Sequence, residues 1–293
     1  GISFFWNKAL FREAGLDPDT PPATWDELIA LCDQIVDDGA SCFSIGLESG
    51  AASGWPATDW IEDIMLRTAT LETYDAWINH EIEWTGPEVT RAWETFGQIV
   101  GNPDYQFGGS AGTLSTNFGE APCALFTDPP GAYLHRQASF IQSFIMDCPG
   151  GENLVPGEDF DFFAFPTIDE AFGNPGLGAA DSFVLFNDNE NTRALIEFLT
   201  QPEAMAGWFE GGGSGIAVNK EFPPDLYPDD LTRRAAEVLA SVDSFRYDAS
   251  DQMPGDVNQA FWTGTLDFVG NTDSLPDILN TIEGIADQAY SSS

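Results

Sequence analysis

Ile2-Ser3-Phe4-Phe5-Trp6-Asn7-Lys8-Ala9-Leu10-Phe11-Arg12-Glu13-Ala14-Gly15 changes period halfway along. The apolar run from Gly1 or Ile2 to Trp6 reads as the inside of a strand. From Asn7 to Ala14 the spacing becomes helical, with Leu10 and Phe11 on one face and Gly15 as the stop. A strand handing over directly to a helix is the unit of α/β folds, and the same alternation recurs downstream.

After a Pro-rich loop, Asp17 to Pro22, the run Thr24-Trp25-Asp26-Glu27 is a capping box. Leu28, Leu31, Ile35 and Val36 then keep helical spacing until Gly39. Phe43–Leu47 reads as a strand. Asp59–Thr68 and Glu72–Trp77 read as helices, and Pro87 opens another. Phe107–Leu114 is glycine-rich and turn-forming. Ala124–Phe126 reads as a buried strand, followed by the Asp128-Pro129-Pro130-Gly131 turn and a helix from Tyr133 to Phe144. Asp159–Phe165 is a strand that Pro166 halts. Ser182–Phe186 is another. Helices follow over 192–199, 202–210, 230–240, 254–269 and 276–290, with Gly211-Gly212-Gly213-Ser214-Gly215 as a sharp break. The fold class is therefore α/β.

Charge narrows the partners. There are 10 Lys and Arg against 48 Asp and Glu, a net charge of −38. Nucleic acid and anionic membranes need clustered cations, which this chain lacks. The acidic surface suits either a cationic partner or salty surroundings that screen self-repulsion. No apolar run of about 20 residues predicts a membrane span. The four cysteines fall into two close pairs, Cys32 with Cys42 and Cys123 with Cys148, and with only two histidines a zinc site is not expected. Two local disulfides of an exported protein explain this pattern better than buried free thiols, which are the alternative.

Gly54-Trp55-Pro56-Ala57-Thr58-Asp59-Trp60 carries the functional signal. Flat indole faces cover the C–H patches of a sugar ring, and a carboxylate accepts from its hydroxyls. The competing role of each tryptophan is core packing. Gly108-Gly109-Ser110-Ala111-Gly112 matches a nucleophile elbow in letters, but lacks the strand before and the helix after that the elbow requires. No phosphate-binding loop and no H-E-x-x-H occur. A glycosidase needs two carboxylates facing across a bond, and among so many acids such a pair can be neither located nor dismissed.

Several passages together resemble the extracellular carbohydrate-binding proteins of ABC importers, in particular the α-glucoside-type branch. Trp6-Asn7-Lys8 with Phe11 and Ala14-Gly15-Leu16 is similar to that family's YNK…F…AGL passage, and Pro22–Leu28 to its P-x-T-W-D-E-L helix start. Gly54–Trp60, Asp128–Phe140 and Asp248–Pro254 continuing to Phe261-Trp262 resemble motifs of the branch. The resemblance implies two α/β lobes around a cleft. Residues 1–180 are then expected to form most of the second lobe, 181–225 to cross into a partial first lobe, and 226–293 to supply hinge-side helices. It implies an N-terminally truncated fragment with an incomplete first lobe.

The implied activity is binding without covalent chemistry and with no cofactor. The partners are a sugar ligand and an ABC permease, for a monomer located in the periplasm or outside the cell, with a lipid anchor as one means of attachment. A glycoside hydrolase and a binder of a non-sugar solute are the alternative readings. The expected ligand-binding residues are Trp55, Asp59, Trp60, Tyr133, Asp181, Ser214 and Trp262. Tyr133 is the ring-stacking aromatic that the resemblance places after the Pro-Pro-Gly turn. Asp181 lies at an inter-lobe crossing. Gly213 and Ser214 bring backbone near the sugar, and Trp262 is favoured over Phe261 because neighbours on a helix point about 100° apart.

Overall fold

Alternation along the opening strand sets the layers. In the computed structural model, which describes residues 2–211 and 213–291, β1 (Ile2–Asn7) sends Phe4 and Trp6 to one core and Phe5 to another. Gly1 of the expected strand and Gly212 of the expected glycine break lie outside the described residues. Next come α1 (Lys8–Glu13), whose first turn is capped by Asn7, and α2 (Trp25–Asp37), opened by the full Thr24–Glu27 capping box. They are followed by β2 (Ser41–Phe43), α3 (Trp55–Leu66), α4 (Leu71–Ile78), α5 (Pro87–Val100) and the short α6 (Gly109–Ser115). β3 (Ala132–Ala138), α7 (Ile141–Asp147) and β4 (Phe160–Ala164) finish the main sheet. β5 (Gly176–Gly178), α8 (Glu190–Leu199), α9 (Pro202–Glu210), α10 (Asp230–Ser241), β6 (Phe245–Tyr247), α11 (Gly255–Gly270) and α12 (Leu275–Ser291) follow.

The main sheet runs in the order β2-β3-β1-β4. β1 is antiparallel to both β3 and β4, with Phe4 opposite Arg136 and Phe163, while β2 runs parallel to β3. β5 and β6 make a separate parallel pair. On one face, α2, α3, α5, α11 and α12 close over Phe4, Trp6, Phe43 and Phe163. Trp60 is central there, with its ring 5.3 Å from that of Phe4 and 5.6 Å from those of Phe43 and Phe96. The opposite face buries Phe5, Phe160 and Phe162 under Ile141 and Ile145 of α7 and Leu231 of α10.

Both cysteine pairs are bonded. Cys32–Cys42 ties α2 to β2 across a Cα separation of 5.0 Å, and Cys123–Cys148 ties the 3-10 segment Ala121–Phe126 to the end of α7 across 5.3 Å.

Four local expectations are corrected. Residues 133–138 are the buried strand β3 rather than the start of a helix, because β1 and β2 supply partners on both sides. Ala124–Phe126 is 3-10 helix, not strand, with Pro122 in its first turn. Residues 109–115 form α6 instead of a turn, so Ser110 lies at a helix start with no strand feeding it. Ser182–Phe186 belongs to no strand, and its Phe183, Val184, Leu185 and Phe186 face solvent. A strand needs a neighbour to accept its backbone hydrogen bonds, and none of the described residues serves as one.

Candidate functional site

α3 begins four residues earlier than its apolar spacing predicted, and this moves Trp55 from a loop onto a helix end. Gly54 is the N-cap residue, at φ 106, and Pro56 sits in the first turn, where its missing N–H costs nothing. Gly54 is also the contact point with α11. A Cβ on it would lie 2.3 Å from the Trp262 carbonyl oxygen, so only glycine fits. The Thr265 hydroxyl reaches the Gly54 carbonyl at 3.2 Å and fastens the two elements together. The Trp262 backbone is thus held against the start of α3; Trp55 and Trp262 are each half-buried, and the Trp262 indole N–H is buried without an acceptor among the described residues.

Aromatic residues from two further segments extend this patch. The Trp55 ring meets Phe118 edge-on at 5.3 Å and Phe140 at 6.1 Å, and Phe144 backs both phenylalanines. Phe140 follows β3 and Glu48 lies downstream of β2, so the patch sits beyond the carboxyl ends of two parallel strands, where α/β sheets place ligands. Glu48 is held there. One oxygen accepts from the Gly50 N–H at 2.7 Å and the other from the Asn117 side-chain amide at 2.7 Å. The Asn117 amide, then the Gly50 N–H, hold its carboxyl below the usual range, so it is ionised at neutral pH. Sequence reasoning missed Glu48, Asn117, Phe118 and Phe140; nothing local distinguishes one Glu among so many acids.

Asp59 and Trp60 lie one turn deeper. Trp60 is 1% exposed and enclosed by other rings. Asp59 is buried against Arg136 of β3, whose Nη2 donates to the Asp59 carbonyl at 2.5 Å and to Asp63 at 2.8 Å. The Arg136 guanidinium lies over the Trp60 ring at 5.1 Å. Arg67 donates to the other Asp63 oxygen at 2.6 Å. Glu62 accepts from the Ser250 N–H at 3.0 Å, while its second oxygen has no donor among the described residues. Asp248, which follows β6, completes a group of four buried carboxyls facing two guanidiniums.

Burial, then the charge of Asp248, pushes the carboxyls of Asp59 and Glu62 well above their ordinary range. Asp59, Glu62 and Asp248 each bring one oxygen within 4.8 Å of the others, a set that could hold a cation. Burial also pushes the His135 imidazole down to about 4, and it stays neutral above that pH.

The remaining expected residues lie elsewhere. Tyr133 is buried at the opposite end of β3, its ring 6.1 Å from Phe11, and the strand between it and Ala138 spans about 16 Å at the usual rise per residue. Asp181 and Ser214 are exposed and sit in the segment between β5 and α10. The Ser214 carbonyl accepts from the Trp208 indole at 3.0 Å, packing that backbone against a tryptophan of its own chain. A concavity of about 560 Å³ between α5, α11 and the start of α12 is lined by Glu94, Phe268, Leu275 and Leu279, none of them in the aromatic patch.

Comparison with known proteins gives the family. The family model for bacterial extracellular solute-binding proteins matches residues 1–240. The osmoprotective compounds-binding protein GgtB of Synechocystis sp. is 43% identical over 265 residues, covering 89% of this chain and 61% of that protein. The alpha-glucosides-binding periplasmic protein AglE of Rhizobium meliloti is 44% identical over 267 residues, covering 90% of this chain and 56% of that protein. The chain therefore spans about three-fifths of the length of these relatives. Among solved structures, the bacterial solute receptor AcbH, which has an exclusive preference for β-D-galactopyranose, superposes with a TM-score of 0.81 at 21% identity, over 99% of this chain and 71% of that one. That likeness fixes the α/β fold. The match across most of the chain, joined to the closeness of the two curated relatives, makes the chain a member of the family of bacterial extracellular solute-binding proteins.

Proposed function

We propose that this chain carries one wall of a sugar-binding cleft and that the protein delivers an α-glucoside-like mono- or oligosaccharide to an ABC permease. The observation that carries the reading is the half-buried aromatic patch of Trp55, Phe118 and Phe140, with Trp262 on the helix packed against Gly54, beside the fixed, ionised carboxylate of Glu48. Aromatic faces take the apolar side of a pyranose, and a carboxylate that cannot rotate away accepts from a hydroxyl at its rim. The two relatives above 40% identity bind osmoprotective compounds and alpha-glucosides, which supports the same ligand class here.

In this reading residues 1–180 form one lobe, 181–225 the crossing with part of the other, and 226–293 the helices at the hinge. Asp181 and Ser214 are candidates for the facing wall, while Asp59, Trp60 and Tyr133 take structural roles. Sugar held on one wall draws the other closed through its differential affinity for the two states. The protein acts outside the cytoplasm, where the two disulfides persist. No helix among the described residues is long and apolar enough to cross a membrane.

A binder returns its ligand intact. Trehalose, maltose, sucrose and glucosylglycerol are each incubated with the protein, the thermal midpoint is measured and the sugar recovered by chromatography. The expected result is a raised midpoint for at least one of them with no product formed. Release of glucose would make the protein a glycosidase. No shift with any of the four would remove the sugar reading.

A further inference from the structure

Three potential ligands from distant parts of the sequence meet where the turn after α4 packs on α12. His80 Nε2, a Glu283 oxygen and an Asp287 oxygen all lie within 4.8 Å of one another. His80 Nε2 stands 3.1 Å from Glu283 Oε1 and 4.0 Å from Asp287 Oδ1. Two of the three groups are already positioned. The imidazole stacks on the Tyr290 ring at 5.2 Å, and Tyr290 is itself anchored through its hydroxyl to the Ile78 carbonyl. Glu283 is fixed through its other oxygen, which accepts from the Trp84 N–H at 2.6 Å. Asp287, one turn further along α12, has its side chain 70% exposed and is free to swing inward.

We propose that His80, Glu283 and Asp287 bind a first-row divalent transition-metal ion, clipping the end of α4 to α12. Ligand atoms on an ion with bonds near 2.1 Å sit roughly 3.0–3.4 Å apart, so the His80–Glu283 spacing needs no adjustment and the exposed Asp287 closes the rest. One neutral imidazole and two carboxylates balance the charge of a divalent ion. The nitrogen selects zinc, cobalt, nickel or manganese over calcium and magnesium, which take oxygen ligands. His80 and Glu283 are 203 residues apart in sequence, so the ion would bridge distant parts of the chain. The competing role of the cluster is an ordinary hydrogen-bonded His–Glu pair that takes no metal.

The chain has two histidines, and this makes the test clean. Untagged protein is titrated with Zn2+ and, separately, with Co2+, following the imidazole signals in a nitrogen–proton correlation spectrum. Saturable binding of one equivalent is expected, with Co2+ shifting or broadening His80 and leaving the buried His135 in place. Zn2+ should also raise the unfolding midpoint, and EDTA should reverse that rise. His80→Asn suits the left-handed backbone at φ 54 and removes the imidazole, so it should weaken binding at least 100-fold. Asp287→Asn, on an exposed side chain, should weaken it at least tenfold. His80 signals unmoved by one equivalent of either ion, or equal binding by wild type and both variants, would leave only diffuse attraction to the acidic surface and overturn the proposal.

Discussion

Trp60 and Trp208 are both helical tryptophans, yet one is 1% exposed and the other 57%. Trp60 lies where α3 meets the sheet, and it is covered by rings from five other segments, among them Phe4, Trp25, Phe43, Phe96 and Phe165. Trp208 sits on α9, in the stretch between β5 and α10. The packing of that stretch includes a local trio, Phe209, Phe222 and Tyr227, with centroids 4.9–5.6 Å apart. Phe186, in the same stretch, is 98% exposed. The difference teaches what each element needs. α8 and α9 form from local signals, the Asn189 capping box and Pro202 in a first turn. The apolar run Ser182–Phe186 has strand composition, but composition without a partner makes no strand.

The contrast can be broken most directly by truncating the two tryptophans. Trp60→Ala should cost about 3–5 kcal/mol in chemical denaturation, the scale of a large aromatic lost from a packed core. Trp208→Ala should cost less than about 1 kcal/mol, as for an exposed side chain. Comparable losses would mean that the stretch between β5 and α10 is packed as firmly as the sheet.

A pH series sharpens the account of the ground beneath α3. The carboxyls of Asp59 and Glu62 are raised in the folded state, so above the unfolded value of about 4.3 for Glu the folded protein holds more protons than the unfolded chain. The stability these groups contribute is therefore present at low pH and lost as pH rises towards their folded values. Glu62→Gln keeps an acceptor for the Ser250 N–H and removes the ionisable group. It should stabilise the protein by about 1–2 kcal/mol near pH 8 and by nearly nothing near pH 4. A change of the same size at both pH values would show that the Glu62 carboxyl is not raised by folding. Amide exchange gives the smallest and most local readout. Residues 183–186 should exchange with little protection, and Ile61 and Ile64 of α3 with protection near that of global unfolding. Equal protection in both places would erase the contrast.

Helices were legible in the sequence at Thr24, Pro87 and Pro202, where a cap or a proline marked the start, but Pro56 was not recognised as the opening of α3. β3 was not, because His135, Arg136 and Gln137 are polar residues buried on a central strand, and their partners lie far away in the chain. The three-residue strands β5 and β6 left no periodic signal at all. Of the candidate site, Trp55 and Trp262 could be named from chemistry and resemblance. Asp59 and Trp60 could not be told apart from Trp55 until Pro56 was seen to start the helix, which leaves Trp55 at its rim and the other two a turn inside. Glu48, Phe118 and Phe140 gain their candidate roles only from what the fold sets beside them.

The central claim is that Trp55 and Trp262 form a sugar-binding wall. Isothermal titration of the protein as expressed from its full reading frame, with whichever glucoside raises its midpoint most, tests it directly. Trp55→Ala and Trp262→Ala should each weaken binding by about 1–3 kcal/mol, the scale of a lost aromatic contact at a binding surface, while the folded structure is retained. Unchanged affinity in both variants would contradict the account.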